Sequence, residues 1–516
     1  MKARNVLTSV CFLRHYAFEP SNTEAGFAGR FNNFVAQAAM NEQYGIRATY
    51  MPQYDVLILP NYQEKLLSER EKNQAEIGFW FEVVQPLVED AGIPWRGRPG
   101  MPWDHYVDPG FLMAYTEDEK KRLIDTAMEK FRSIFGCYPP SVGSWMLDSF
   151  SMQYMSEKYA PDAFIICREQ WGMDGYTLWG GPYYGGYYPS KNNMQTPATR
   201  EENRIKTPLF RMFINDPIYC YYEHEHSEER YMRFNRHKNG LFTQEPAWVC
   251  GQNPEWVRWM YDNLFVENNG SFSFIELGQE SCFGWKGRSE IGMELQCKHV
   301  KEHPEYALTN MTVGEMGRYF KETFKDTPPM AMGALTDWAG LSHQSVWYNS
   351  KFYRVNLWND GENLLIRDIH AFFDGYRDRY LDTPCTTHNA IYDNPPVVDG
   401  VRMTSEDGET KGGMYFGKGK MLSRRDCGDF YEVTAEVGGN ALSIKLYPER
   451  IEITGDTDFA LDFLRAENEF ETGYDETHVF YAYGGISYAL TLDAGVFDGK
   501  ALQSVARRIV MRIEQK

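Results

Sequence analysis

Up to about residue 340 the chain alternates short apolar runs with longer helical ones, the rhythm of βα units built on a parallel sheet. Strands are predicted at Val6–Leu13, Ala48–Met51, Glu76–Val84, Ser141–Met146, Ala163–Cys167, Leu209–Ile214 and Phe272–Ile275. Helices are predicted between them at Ala25–Tyr44, Glu117–Phe135 (with Thr116 as cap), Met152–Tyr159, Pro254–Val266 and Val313–Phe324. Seven or eight such units imply a (β/α)7-8 barrel, and barrel chemistry sits where strands end and loops begin. The strand C-termini are therefore where functional residues are sought.

Near Ser345 the pattern changes to short β-branched or aromatic runs split by turn clusters such as Asn359-Asp360-Gly361 and Gly438-Gly439-Asn440. The α/β region is thus expected over residues 1–344 and an all-β, sandwich-like domain over 345–516. No internal repeat or low-complexity linker separates them.

A net charge of -19 repels phosphate backbones and argues against a nucleic-acid partner. The nine cysteines are scattered without a C-x-x-C pair, which suits a reducing compartment and a cytoplasmic location. Asn5–Leu13 follows a charged start but contains Thr8 and Ser9 and runs into Arg14-His15, so it reads as a first buried strand and not a leader. No apolar stretch reaches the roughly 20 residues that span a membrane. Aromatic residues make up 15% of the chain, enough to line a cleft as well as fill a core. Sugars suit such a cleft, because the C–H face of a pyranose packs on a flat ring while its hydroxyls bond to polar neighbours.

Hydrolysis of a sugar linkage needs two carboxyl groups facing each other across a cleft. Asp148 follows the run Ser141–Met146 directly before a helix, where it either reaches the barrel mouth or caps that helix. Glu82 ends an apolar segment with Trp80 and Phe81, and a carboxylate is expensive to bury there without a purpose. Glu276 and Glu280 close a late strand that ends in a glycine turn, and either supplies the second carboxyl. Asp216 ends another strand, after Arg211. His15 and Glu19 follow the first strand. Between Asp148 and Asp216 lies the stretch from Trp171 to Tyr188, with Asp174, Trp179, Tyr183 and many glycines. Gly at that density makes neither helix nor long strand, so this loop is expected to expose its rings as a sugar platform, or else as a subunit interface.

These segments, in this order, resemble the barrel that glycoside hydrolase family 57 shares with family 38 and the NodB-type polysaccharide deacetylases. Asn73–Gly78, with Gln85-Pro86-Leu87 after it, resembles the family 57 segment in which a Glu-bearing strand precedes a His-Pro stretch. Gly143–Asp148 resembles the Gly-x-Trp-Leu-Pro-Glu segment that carries the nucleophile, with Asp148 in the Glu position. Gly278–Trp285 resembles the Asp-Gly-Glu-x-Phe-Gly segment that carries the acid/base, although its Asp falls on Gly278 and one residue is inserted before Phe283. The His-Gln-His-Pro opening is replaced by Arg14-His15-Tyr16-Ala17-Phe18-Glu19-Pro20. The whole chain more closely resembles an uncharacterised bacterial group of polysaccharide deacetylase-like proteins with a barrel and a β-domain.

The deacetylase side of this resemblance implies a divalent metal held by a first-strand Asp and an early His-x3-His pair, neither of which stands in that place. His299-Val300-Lys301-Glu302-His303 matches an inverted zinc-protease pattern but lies in a charged helical stretch, and His224-Glu225-His226 reads as a solvated loop face. The expectation is therefore a glycosidase that uses no metal or other cofactor and acts on the end of a short glycan. Asp148 is its nucleophile or base and Glu280 or Glu276 its proton donor, with Glu82 as a further catalytic carboxylate. His15, Glu19, Trp80, Trp171, Asp174, Trp179, Tyr183, Arg211 and Asp216 line the sugar site. A metal-dependent deacetylase and a non-catalytic glycan-binding protein are the alternatives, and self-association into a homo-oligomer is left open.

Overall fold

The computed structural model describes residues 5–17, 20–167, 170–173, 176–178, 180–212, 214–223, 243–266, 272–400, 402–403, 412–465 and 470–516. Its first part is built on parallel strands. β1 (Asn5–Leu13) lies between the strand Ser273–Leu277 and β2 (Thr49–Pro52), with Asn5 opposite Ser273 and Val10 opposite Thr49. β2 pairs with β3 (Glu76–Ile77), and β4 (Phe79–Trp80) pairs with β5 (Ser141–Ser144). β6 (Ala163–Ile166) then pairs with β5 on one side and with Leu209–Arg211 on the other.

Gly78 divides what the sequence presents as one strand. Its N–H still bonds to the Tyr50 carbonyl, while Phe81 N–H bonds to the Gly143 carbonyl, so the chain passes here from β2 to β5. A Cβ at Gly78 would press on Ser141 Oγ and Met51, which is why the crossing is made at a glycine. The last parallel strands on either side, Leu209–Arg211 and Ser273–Leu277, share no ladder among the described residues; the Phe210 and Phe274 rings lie 5.9 Å apart.

Eight of the nine β1 residues are buried, as a parallel strand covered on both faces requires. The helix Glu24–Tyr44 is opened by Thr23 and closed by Gly45 in the left-handed region. Glu117–Phe135 carries a reciprocal Thr116–Glu119 cap. The expected helix at Pro254–Val266 is α-helical only to Tyr261 and widens into a π turn over Asp262–Val266.

The rest of the chain forms a sixteen-stranded antiparallel sheet that starts with Met330–Ala334, paired with Gln344–Asn349, and ends with Arg508–Gln515. One apolar core gathers residues from strands well apart in its order, such as Val355 and Ile453. Between its strands the chain returns to the parallel part. Ala390–Tyr392 pairs with Tyr176–Leu178, and the Asp378 carboxylate accepts from the backbone N–H and hydroxyl of Ser149. Among the described residues no helix is long and apolar enough to cross a membrane. All nine cysteines are thiols.

Candidate active site

Three strand ends deliver charged side chains to one point. Arg14 follows β1 directly, Glu82 lies two residues beyond β4, and Glu280 three residues beyond the strand Ser273–Leu277. Gly278 makes the last turn, at φ 103°; a Cβ there would collide with the Val10 carbonyl oxygen, so the loop hugs β1 only because the residue is glycine. The hydrogen bonds from Ser281 N–H to the Phe12 carbonyl (3.0 Å) and from Arg14 N–H to Ser281 Oγ (3.2 Å) fix the loop against the end of β1.

The Arg14 guanidinium donates through Nη2 to Glu82 Oε1 at 2.6 Å and through Nη1 to Glu280 Oε2 at 2.5 Å. All three side chains are at least 96% buried (Arg14 2% exposed, Glu82 0%, Glu280 4%). Burial opposes the Arg14 charge, but Glu280 and Glu82 more than offset that and hold it above the usual arginine range. Glu82 is satisfied on both oxygens, since Trp80 Nε1 donates to Oε1 at 2.8 Å and Trp103 Nε1 to Oε2 at 2.6 Å. Aromatic faces surround the guanidinium: Trp103 at 4.8 Å, Phe12 at 5.6 Å and the partly exposed Trp145 at 6.0 Å. Trp80 stacks on Phe12 at 3.9 Å, and Trp145 stands edge-on to both.

Beside this focus, Asp55 beyond β2 accepts from the backbone N–H groups of His15, Tyr16 and Val56, and burial still raises its pKa to about 6. His15 stacks on Phe27 at 4.1 Å, and burial together with Arg30 lowers its pKa to about 4. Cys282 Sγ lies 3.8 Å from Arg14 Nη1, its thiol pushed up by burial and by Glu280.

The other sequence candidates lie elsewhere. Asp148 caps the helix Ser149–Lys158, accepting from Ser151 N–H and Oγ and from the buried Lys120 Nζ at 2.9 Å; it makes no hydrogen bond or ion pair with the Arg14 group. Glu276 is buried within its strand, opposite Thr8. Asp216 accepts from the indole N–H groups of Trp256 (2.9 Å) and Trp338 (2.7 Å) and from two backbone amides, while burial raises its pKa to about 7. Arg211 donates to the Gly180 carbonyl and the Gln195 side chain. Trp171 falls in the short strand Gln170–Met173, and Glu19, Asp174 and Trp179 lie outside the described residues.

The expected exposed platform is corrected where it is described. Tyr183, Tyr184, Tyr187 and Tyr188 are all buried. Tyr183 stacks on Trp347 at 4.1 Å, and its neighbours' hydroxyls find backbone partners at Phe274, Met194 and Phe324, so packing takes rings that the glycine content had pointed outward. Sequence reasoning did not single out Arg14, Trp103 or Trp145. Arg14 had a signal: a charge directly after the apolar run Val10–Leu13 must meet a partner at the strand end. Trp103 had none, because nothing local ties its indole N–H to Glu82.

The metal that the deacetylase resemblance implies can be tested against these donors. Glu82 already receives three N–H groups and Glu280 receives the guanidinium, a fixed cation at the point where both carboxylates converge. Among the described residues no group of three His, Cys, Asp or Glu could hold an ion; His299 bonds to Tyr306, and His224 and His226 lie outside those residues. Among the described residues, the donors at this site do not fit a metal.

No family model matches the chain, and no curated protein matches it in sequence. Among solved structures it is similar to a Parabacteroides distasonis protein provisionally named a glycoside hydrolase/deacetylase, with 14% identity, a TM-score of 0.55, and coverage of 79% of this chain and 93% of that one. A provisionally named polysaccharide deacetylase of Mycobacterium smegmatis aligns at 8% identity and TM-score 0.38, covering 64% of this chain and 93% of its own. The first likeness establishes what the chain shares with that protein: the fold, a mixed α/β region joined to a large antiparallel sheet.

Proposed function

We propose that this chain is a carbohydrate-active hydrolase that cleaves a glycosidic bond at the Arg14–Glu82–Glu280 focus. The observation that carries the reading is the convergence of two carboxylates from separate strand ends on one buried guanidinium, beneath a wall of Trp103, Trp145 and Phe12. The two hydrogen bonds and one guanidinium that link Glu82 to Glu280 keep their bonded oxygens within about 7 Å, inside the range over which paired carboxyls act on a glycosidic bond.

Glu280, brought to this point by its own strand end, acts as the nucleophile or base. Glu82, with both oxygens already bonded, orients Arg14 and the indoles. Trp145, the partly exposed ring, is the surface on which a sugar stacks. The exo preference inferred from the Gly-Tyr-rich insertion loses its support, because the Tyr183–Tyr188 rings are committed to packing.

The test is turnover of a panel of aryl glycosides and acetylated oligosaccharides, with and without a chelator, by the wild type and by Glu280→Gln. Chelator-insensitive release of the aryl group that Glu280→Gln abolishes supports the reading. Acetate release blocked by the chelator overturns it in favour of a metal-dependent deacetylase. A second reading, a glycan-binding protein without turnover, is favoured by the saturation of Glu82 within a closed ion pair; it predicts oligosaccharide binding that survives Glu280→Gln and no product from any substrate.

A further inference from the structure

We propose that the Gln53 side-chain amide is a substrate-binding group beside the Arg14–Glu82–Glu280 focus, where it meets two neighbouring hydroxyls of the sugar. The inference rests on the reading of that focus as a sugar site and names a residue that selects what enters it. Gln53 is the first residue beyond β2. The ladder sets Phe12 opposite Met51 and Leu13 opposite Pro52, and Gln53 N–H still bonds to the Leu13 carbonyl at 3.0 Å. Gln53 therefore stands beside Arg14, about 5 Å away across the strand ends.

Alternation along β2 fixes where the side chain points. Tyr50 packs on Phe34 of the helix Glu24–Tyr44, whereas Met51 turns to the other side and lies against Gly78 and Gly143. Trp80 also lies against Gly143 and stacks on Phe12. Gln53 has the parity of Met51, and so shares the face that carries Phe12, Trp80 and Arg14. It is 0% exposed, yet neither its Oε1 nor its Nε2 has a hydrogen-bond partner. Local structure does not use the amide: the Gln53 backbone carbonyl opens the helical turn Tyr54–Leu57, but the side chain makes no cap bond. The ion pairs do not use it either, since the Arg14 terminal nitrogens donate to Glu82 and Glu280. Burying an amide with both halves idle costs the folded chain stability, which a ligand that satisfies them recovers. A primary amide offers an acceptor and two donors side by side, the complement of hydroxyls on adjacent ring carbons, one donating and one accepting.

The experiment compares the full chain as wild type, Gln53→Met and Glu280→Gln; methionine fills much the same space as glutamine without its amide. Each protein is melted without ligand, then assayed on the para-nitrophenyl glycoside that wild type cleaves and on the monodeoxy analogues of that glycoside. The melting temperature of Gln53→Met is expected at or above that of wild type, because an unsatisfied amide has been removed. Its kcat/KM should fall about tenfold on the parent glycoside, and only about threefold on an analogue lacking either hydroxyl that Gln53 meets. A lower melting temperature, an unchanged kcat/KM, or the same loss on every analogue overturns the inference, since a merely structural amide gives the first or the last. If Glu280→Gln abolishes turnover while Gln53→Met matches wild type, this inference alone falls; a wild type that cleaves no glycoside of the panel removes the reading of the focus and the inference with it.

Discussion

Replacing Glu82 by glutamine tests how the focus is held together. The change is nearly isosteric, so no cavity term arises. The carboxylate receives three donors, with Arg14 and Trp80 sharing Oε1 and Trp103 meeting Oε2. A carboxamide has one oxygen to accept and one NH2 that only donates. With its oxygen toward Arg14, the NH2 faces the Trp103 indole N–H and leaves a buried donor unsatisfied, at about 1–3 kcal/mol. It also removes one of the two negative charges on a buried guanidinium, and breaking such a pair costs about 3–5 kcal/mol. Both penalties stem from the same lost charge and overlap, so the expected destabilisation is about 4 kcal/mol. Urea unfolding followed by tryptophan fluorescence measures it. Adding Trp103→Phe removes the clashing indole, so the double variant should be about 1–2 kcal/mol more stable than the sum of the two single losses. A Glu82→Gln loss below about 1 kcal/mol, or strict additivity in the cycle, would refute the account of a charge held by three donors.

Asp216, raised to about 7 by burial, keeps a proton in the folded chain that the unfolded chain releases near 3.9. Its contribution to stability is therefore complete below pH 4 and declines by about 1.4 kcal/mol per pH unit up to pH 7. Denaturation series at several pH values should show this slope in wild type and lose it in Asp216→Asn; equal slopes count against a protonated Asp216. Asp148→Asn keeps a competent helix cap but leaves the buried Lys120 without its counter-charge, and should lower stability by about 3 kcal/mol. Turnover lost without any change in stability would instead return Asp148 to the chemistry. Trp145→Ala should weaken oligosaccharide binding about tenfold, measured by calorimetry on protein shown to be folded; unchanged affinity would move the sugar platform elsewhere.

The sequence by itself determined the elements and most of their ends. The apolar run of β1, the Thr116–Glu119 cap and the glycine turns of the antiparallel part are local chemistry, legible because each residue's preference agrees with the role it fills. It also marked Glu82 as a carboxylate too costly to bury idly, and Glu280, with Glu276, as a carboxylate closing a late strand. Only the tertiary structure decided what they meet. Arg14 and Glu280 are 266 positions apart, and nothing near either one states that the first and a late strand lie side by side. The same long-range packing gave Asp148 to Lys120 and turned the Tyr183–Tyr188 rings inward against the later strands. Periodicity reports which face of an element is buried; the partner waiting on that face is set by how the strands are ordered, and that ordering arises only when the whole sheet is assembled.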